Sequence, residues 1–109
     1  ALARAELGAH FSAHDLKRLE LYARNMVDHH MVTDLLPALG RLVFLRRLPA
    51  VRLSPLQAAI LVALALQRRS VEQLAADLAI PVSQALALFN KAMRKISSAL
   101  QAIDNPQPQ

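Results

Sequence analysis

The sequence predicts an all-α protein: a compact bundle of four to five helices with a helix-turn-helix-like C-terminal half. Three observations support this prediction. Alanine and leucine dominate the chain, which holds only two glycines. No segment shows the alternation of β-branched and polar residues that is typical of strands. Helix start signals, a serine followed three residues later by an acid or a glutamine, recur along the chain.

The first helix is predicted to begin after Ser12, because Ser12 and Asp15 have the spacing of a capping box. Apolar residues then recur at intervals of three and four and form one stripe. The stripe consists of Leu16, Leu19, Tyr22, Ala23, Met26 and Val27. We expect the Tyr22 ring in the core, with its hydroxyl at the edge.

A second helix is predicted around residues 36–43, and two starts for it are open. Thr33 and Asp34 are suited to cap it, with Pro37 tolerated in its first turn. Alternatively, the first helix runs on and kinks at Pro37. In either case Pro49 ends the segment.

Ser54, Pro55 and Gln57 form the clearest start signal in the chain. The residues that follow, Ala58–Leu66, are apolar on every face, which predicts a central helix surrounded by the others. Ser70 and Gln73 repeat the capping box and predict a short helix that ends near Leu78.

The last and longest helix is predicted to start at Ser83, after Ile80 and Pro81 break the preceding one. Its buried seam is expected to comprise Leu86, Phe89, Met93, Ile96, Leu100 and Ile103. Its opposite, polar face is expected to comprise Gln84, Asn90, Lys91, Arg94, Lys95 and Ser98.

A single domain is expected from the length of 109 residues. We predict a helical domain at residues 12–103, an N-terminal linker at residues 1–11 and a disordered tail at residues 104–109. Because the first residue is Ala1, we expect the chain to be a piece of a longer protein. The longest apolar run, Ala58–Leu66, is shorter than the roughly 20 residues of a membrane span, so no membrane partner is expected.

Several classes of site are excluded by composition. The chain has no cysteine, which rules out disulfides, cysteine-zinc sites and thiol nucleophiles. It has no glycine-rich loop for a phosphate or a dinucleotide, so we expect no cofactor and no catalytic residue here. Asp28, His29, His30 and Asp34 lack the spacing of a zinc site, so no metal is expected.

The positive charge is concentrated in the middle of the chain. The net charge is +5, and residues 41–71 hold six arginines with no acidic residue. The segments on either side are close to neutral. Because the planar guanidinium group suits phosphate, this segment indicates a nucleic acid or another polyanion as partner.

Two basic clusters are the predicted nucleic-acid-binding residues. The first contains Arg46, Arg47, Arg68 and Arg69, at the predicted C-terminal ends of two helices. The second contains Lys91, Arg94 and Lys95, on one face of the last helix. We expect both clusters to form one continuous surface. Phe11, Phe44 and Phe89 are expected in the core, which leaves no platform for base stacking.

Two runs of residues resemble the C-terminal domain of the eukaryotic RNA cytidine acetyltransferase family. The more specific matches are Arg24–Asp28 and Leu88–Lys91 followed by Arg94 and Lys95. The resemblance extends over about Ser12–Lys95. It departs from the family at His29, where an aromatic is common, and at Arg68 and Arg69, which replace the usual His-Lys pair and keep the basic character.

This resemblance implies a tRNA-binding domain of an enzyme that forms N4-acetylcytidine in small-subunit rRNA and in tRNA. It implies acetyl-CoA and ATP as cofactors of the parent, held by modules that this chain lacks. It further implies that the parent protein is a homodimer in the nucleus and nucleolus. There the parent would act in ribosome biogenesis, with guide small nucleolar RNAs and a tRNA adaptor protein as partners. The family's catalytic residues have no matching positions here, so we expect the isolated chain to be inactive.

Two other functions stay open at this point. The chain could be a protein–protein docking domain in a ribosome-assembly particle, with its arginines facing acidic partners. It could also be a helix-turn-helix DNA-binding domain, whose last helix would enter a groove. The residues offered to the bases would then be Ser83, Gln84, Ala87, Asn90 and Lys91.

Overall fold

The computed structural model describes residues 2–105 of the chain. Six α-helices occur in this part: α1 (Arg4–His10), α2 (Ala13–Ala23), α3 (Leu36–Phe44), α4 (Pro55–Leu61), α5 (Val71–Leu78) and α6 (Val82–Asp104). A 3-10 helix, His29–Leu35, leads into α3, and α4 continues into a π-helical turn, Val62–Leu66. Because no strand occurs in the described residues, the all-α class is confirmed, with six helices rather than four to five.

The long helix α6 is the centre of the fold. It packs against α1, α2, α4 and α5. Its predicted seam is confirmed at Phe89, Met93, Ile96 and Leu100, all of which are buried. The prediction of a central helix at Ala58–Leu66 is only partly right, since Ile60 and Leu61 are buried whereas Leu66 is exposed.

The prediction of a linker at residues 1–11 is wrong. This segment forms α1, and Leu2, Leu7 and Phe11 belong to the buried core. The Leu2 N–H also donates to the Arg47 carbonyl oxygen at 2.8 Å. Sequence inspection missed the helix because it has no serine, threonine or aspartate cap. Instead, the Glu6 carboxylate accepts from the Ala3 N–H at 3.3 Å.

The three predicted capping boxes are confirmed. The hydroxyls of Ser12, Ser54 and Ser70 accept from the N–H groups three residues later, at 3.0–3.1 Å. In return, the side chains of Asp15, Gln57 and Gln73 accept from the serine N–H groups. Each motif depends only on residues three apart, so it can be recognised without the tertiary structure.

Neither predicted start of the second helix is correct. The first helix ends at Ala23 and does not kink at Pro37, because Asn25 adopts a left-handed conformation with φ of 60°. Asp28 caps the preceding 3-10 helix, because its carboxylate accepts from the His30 N–H at 2.9 Å. Helix α3 itself begins after Leu35 without a side-chain cap, so neither Thr33 nor Asp34 caps it, although Pro37 lies in its first turn as predicted.

The C-terminal half has the expected order of a short helix, a tight turn and a long helix. The turn contains Ala79 in a left-handed conformation. Helix α6 begins at Val82, one residue before the predicted start, because the extended Pro81 occupies the cap position. Asp104 of the predicted tail is the last residue of α6, and residues 106–109 lie outside the described part.

Two apolar residues that were predicted to be buried are exposed. Met26 follows the end of α2 and is 65% exposed, because the helical stripe does not extend beyond Ala23. Phe44 ends α3 and is 39% exposed, so the prediction that it lies in the core is wrong. Among residues 2–105, every helix is too short or too polar to span a lipid bilayer.

One arginine joins α2 to the 3-10 helix. Arg18 donates from Nη1 to the Met31 carbonyl oxygen at 2.8 Å, and both terminal nitrogens bond the Asp34 carboxylate. Its Nη2 also bonds Asp15 on its own helix at 2.8 Å. The bonds to Arg18 lower the pKa of Asp34, and the bond from the Ser12 N–H, followed by that from Arg18, lowers the pKa of Asp15.

Replacing Arg18 with methionine is expected to cost about 1 kcal/mol of unfolding free energy at pH 7, a modest value because Asp34 is largely solvated. A lowered carboxyl pKa contributes stability above the unfolded pKa, near 3.9, and this stability is lost as the pH falls through the folded pKa. The difference between wild type and Arg18→Met should therefore shrink as the pH falls below about 3.9, and the part that remains comes from the lost bond to the Met31 carbonyl oxygen. Urea titrations at several pH values measure it, and a constant difference down to pH 2 would contradict the prediction.

Candidate nucleic-acid interface

The loop between α3 and α4 lies along the exposed face of α6. Lys95 on α6 fixes it, since its Nζ donates to the Arg52 carbonyl oxygen at 2.7 Å and to the Gln57 Oε1 at 3.0 Å. Ala50 of the loop lines a shallow groove together with Arg94 and Lys95. The loop and the helix therefore present one surface to the solvent.

Five cationic residues lie on this loop and this helix, and we call them the loop–helix surface: Arg46 and Arg52 on the loop, and Lys91, Arg94 and Lys95 on α6. All five are exposed. Within residues 2–105, none of the five makes an ion pair. No acidic residue lines the two grooves on this surface. Charges of one sign without local acids produce the field that attracts a polyanion.

Arg52 was not among the predicted binding residues, although it lies in the acid-free segment. It lines the same groove as Arg46, at the C-terminal end of α3. The absence of acidic residues from the surrounding segment was the sequence signal that could have identified Arg52 as a binding residue. The sequence could not show that the Arg52 carbonyl is bound by Lys95, 43 residues away.

The predicted first cluster is not one cluster in space. Arg68 and Arg69 line a groove with Pro37, at the N-terminal end of α3. Arg46 and Arg47 follow the C-terminal end of α3, and the nine residues of the helix span about 13 Å. The structure instead joins Arg46 to the second cluster, through Arg52 and Lys95.

Two of the predicted residues form ion pairs. Arg47 bonds the carboxylate of Glu6 on α1, and this bond lowers the pKa of Glu6. Arg69 bonds the carboxylate of Asp77 on α5. Both positive charges are thus partly neutralised within the protein, so these arginines offer less to a phosphate than Arg46 or Arg94.

Arg46 and Arg68 have left-handed backbone conformations, with φ of 58° and 54°. Both follow a helical segment, at a position where glycine is the usual residue because it has no Cβ. Strain of this kind is common at functional sites. The chain thus carries a guanidinium group at two positions where glycine would fit the backbone better.

Asn90, a candidate for base contact in the helix-turn-helix alternative, is engaged inside the protein. The Tyr22 hydroxyl donates to its Oδ1. Burial, together with the negative charge of Asp28, raises the pKa of Tyr22 to about 12, so the hydroxyl remains a donor at neutral pH. This leaves the exposed Ser83, Gln84, Ala87 and Lys91 on the outer side of α6.

Asp28, His29 and His30 place three potential metal ligands within 4.8 Å of one another. Their contacts are those of a helix cap, because Asp28 Oδ1 accepts the His30 N–H and lies 2.6 Å from His30 Nδ1. The centroids of the two imidazole rings lie 4.0 Å apart, with the ring planes tilted by 34°. The cap accounts for this arrangement without a metal.

Comparison with known proteins places the chain in a family. Residues 1–108 match the family described as "Possible tRNA binding domain". The chain is 47% identical over 96 residues to the human RNA cytidine acetyltransferase, covering 88% of this chain and 9% of that protein. The corresponding protein of Dictyostelium discoideum is 46% identical over 100 residues, covering 92% of this chain and 10% of that protein.

The similarity extends to fungi. The RNA cytidine acetyltransferase of Saccharomyces cerevisiae is 42% identical over 97 residues, which cover 88% of this chain and 9% of that protein. The chain thus spans about a tenth of the length of the curated relatives that it matches. It belongs to the family of possible tRNA binding domains, in the form found in the C-terminal region of eukaryotic RNA cytidine acetyltransferases.

Proposed function

We propose that this chain is the RNA-holding domain of an RNA cytidine acetyltransferase and that it binds RNA by phosphate contacts. The observation that carries the proposal is the loop–helix surface, where five cations lie together without an acidic residue in the adjoining grooves. The family of the chain supports RNA as the polyanion. Contacts to phosphate position an RNA without reading its sequence, which suits a domain that serves several substrates.

The chemistry would then take place in other parts of the parent protein. We propose that the parent forms N4-acetylcytidine in small-subunit rRNA and in tRNA, with acetyl-CoA and ATP bound outside this chain. Guide small nucleolar RNAs, a tRNA adaptor protein, a homodimeric parent and a nucleolar location belong to the same proposal. It is supported by the identity to RNA cytidine acetyltransferases from several eukaryotes.

The salt dependence of RNA affinity tests the binding surface. In the double variant Lys91→Gln/Arg94→Gln, we expect weaker binding to unrelated RNAs by similar factors. The slope of log affinity against log salt should flatten by about 0.7–0.9 for each lost contact, and thus by roughly 1.5 in total. The fold should persist, because both side chains are exposed. Fluorescence anisotropy with labelled RNAs at four or five salt concentrations measures the affinity.

Lys17→Gln/Arg24→Gln is the matched control. It removes one lysine and one arginine charge from α2 and its C-cap, where both side chains pair with Glu20. Its slope should change by less than half as much. The variant Arg68→Gln/Arg69→Gln should also flatten the slope by less than one unit, because Arg69 pairs with Asp77. Equal slopes for wild type and Lys91→Gln/Arg94→Gln would refute the proposed surface and favour the protein-docking alternative.

A further inference from the structure

A groove of about 510 Å³ lies at the C-terminal end of α3. Its apolar lining comes from Phe44 and from loop residues that include Pro49 and Val51. Arg46 and Arg52 also line it, and none of its lining residues is acidic. The groove thus combines an apolar wall with two cationic residues.

Phe44 is much more exposed to solvent than the other two phenylalanines of this protein. Phe11 and Phe89 are 3% and 1% exposed, whereas Phe44 is 39% exposed and lines the groove. An aromatic ring that is open to solvent beside cations is the feature that binds unpaired bases, because every base has a π-face. The Phe44 ring therefore offers a stacking contact to a base, in addition to the contacts that the cations offer to phosphates.

Arg46 adds a second, independent observation. Its left-handed backbone, with φ of 58°, is strained for any residue other than glycine, asparagine or aspartate. Arg46 lines the groove together with Phe44 and Arg52. In addition, the Arg52 backbone is fixed by Lys95, whose Nζ bonds its carbonyl oxygen. Both arginines thus line the groove from defined backbone positions.

We propose that this groove binds one unpaired nucleotide of the RNA. Its base stacks on the Phe44 ring, and Arg46 and Arg52 bind the adjacent phosphates. This inference rests on the proposed function, since it assigns a part of the loop–helix surface to single-stranded RNA. It follows that the domain binds RNA with an unpaired nucleotide more tightly than a duplex of equal charge, whose bases are stacked internally.

The variant Phe44→Leu tests the stacking contact, because leucine keeps the apolar character without the ring. We expect its affinity for a single-stranded RNA to fall about 5- to 100-fold. Its affinity for a blunt RNA duplex with the same number of phosphates should be unchanged. The salt slope should also be unchanged, because no charge is lost. Leu45→Ala is the matched control, as the neighbouring Leu45 is 68% exposed and does not line the groove.

Phe44→Trp provides a second readout. The chain contains no tryptophan, so this side chain would be the only indole. We expect it to restore single-strand affinity, and its fluorescence should be quenched by single-stranded RNA but not by the duplex.

The outcomes separate this inference from the proposed function. If Phe44→Leu binds like wild type while Lys91→Gln/Arg94→Gln binds weakly, the nucleotide groove is refuted and phosphate binding stands. If no variant changes the affinity for either RNA, both are refuted. An equal loss of single-strand and duplex affinity in Phe44→Leu would also overturn the inference, since it would indicate altered folding and not lost stacking.

Discussion

Replacing Phe89 or Leu61 with alanine is expected to lower the free energy of unfolding by several kcal/mol, about 2–5. Phe89 is 1% exposed and Leu61 is fully buried, and both belong to the main core cluster. Truncation removes apolar contacts and leaves a cavity, which costs about 3–5 kcal/mol for phenylalanine and 2–5 kcal/mol for leucine. Since small domains have a total stability of roughly 5–15 kcal/mol, either variant should unfold at a much lower temperature.

Phe89 has a particular role, because its ring packs against an aromatic ring of another helix. Its ring lies 5.9 Å from the Tyr22 ring, centroid to centroid, and this contact joins α6 to α2. Thermal and urea unfolding measure the effect. Leu45→Ala serves again as the control and should change the unfolding free energy by less than about 0.5 kcal/mol. A loss below 1 kcal/mol in both core variants would show that the packing of α6 described here is incorrect.

Gly40 is expected to resist any larger side chain. A Cβ at this position of α3 would lie 2.9 Å from the Ala65 Cβ, in the contact between α3 and the π-helical turn. Alanine would gain up to about 1 kcal/mol of helix propensity, but the rigid Ala65 methyl group opposes it. Overpacking usually costs about 1–3 kcal/mol, so we expect a small net loss for Gly40→Ala and about 2–3 kcal/mol for Gly40→Val.

Gly8 of α1 provides the matched control. A Cβ added there meets nothing within 4 Å, so Gly8→Ala should stabilise the protein by up to about 1 kcal/mol. The two glycine-to-alanine changes are thus expected to have opposite signs, although both positions lie in helices. Stabilisation by Gly40→Ala equal to that by Gly8→Ala would mean that α3 and the π-helical turn are not in close contact.

The helix starts could be predicted because they depend on neighbours. Ser12, Ser54 and Ser70 each meet a partner three residues later, and this geometry is the same in any helix of any fold. The 3.6-residue period likewise identified the seam of α6 around Phe89 and Ile96. Helix α1 was missed for the converse reason: it lacks such a cap, and the burial of Leu7 depends on helices distant in the sequence.

The composition of the candidate surface was also evident from the sequence, since residues 41–71 contain arginines and no acids. The sequence did not show which of these arginines lie close together in the folded protein. Arg47 and Arg69 find carboxylates 41 and 8 residues away, on α1 and α5. Such partners are brought together by packing, so sequence spacing cannot predict them.

The all-α class, the main caps and the positive charge therefore follow from local patterns along the chain. Which of the positive charges are free to bind a ligand depends on how the helices pack. Arg68 shares a groove with Pro37 at the start of α3, whereas Arg46 follows the end of α3. The two arginines therefore lie in different regions of the surface. The loop that carries Arg52 is bound to α6 by Lys95, and Phe44 is left open beside Arg46. Capping and amphipathic period are local, whereas the proximity of these cations arises from contacts between residues far apart in the chain.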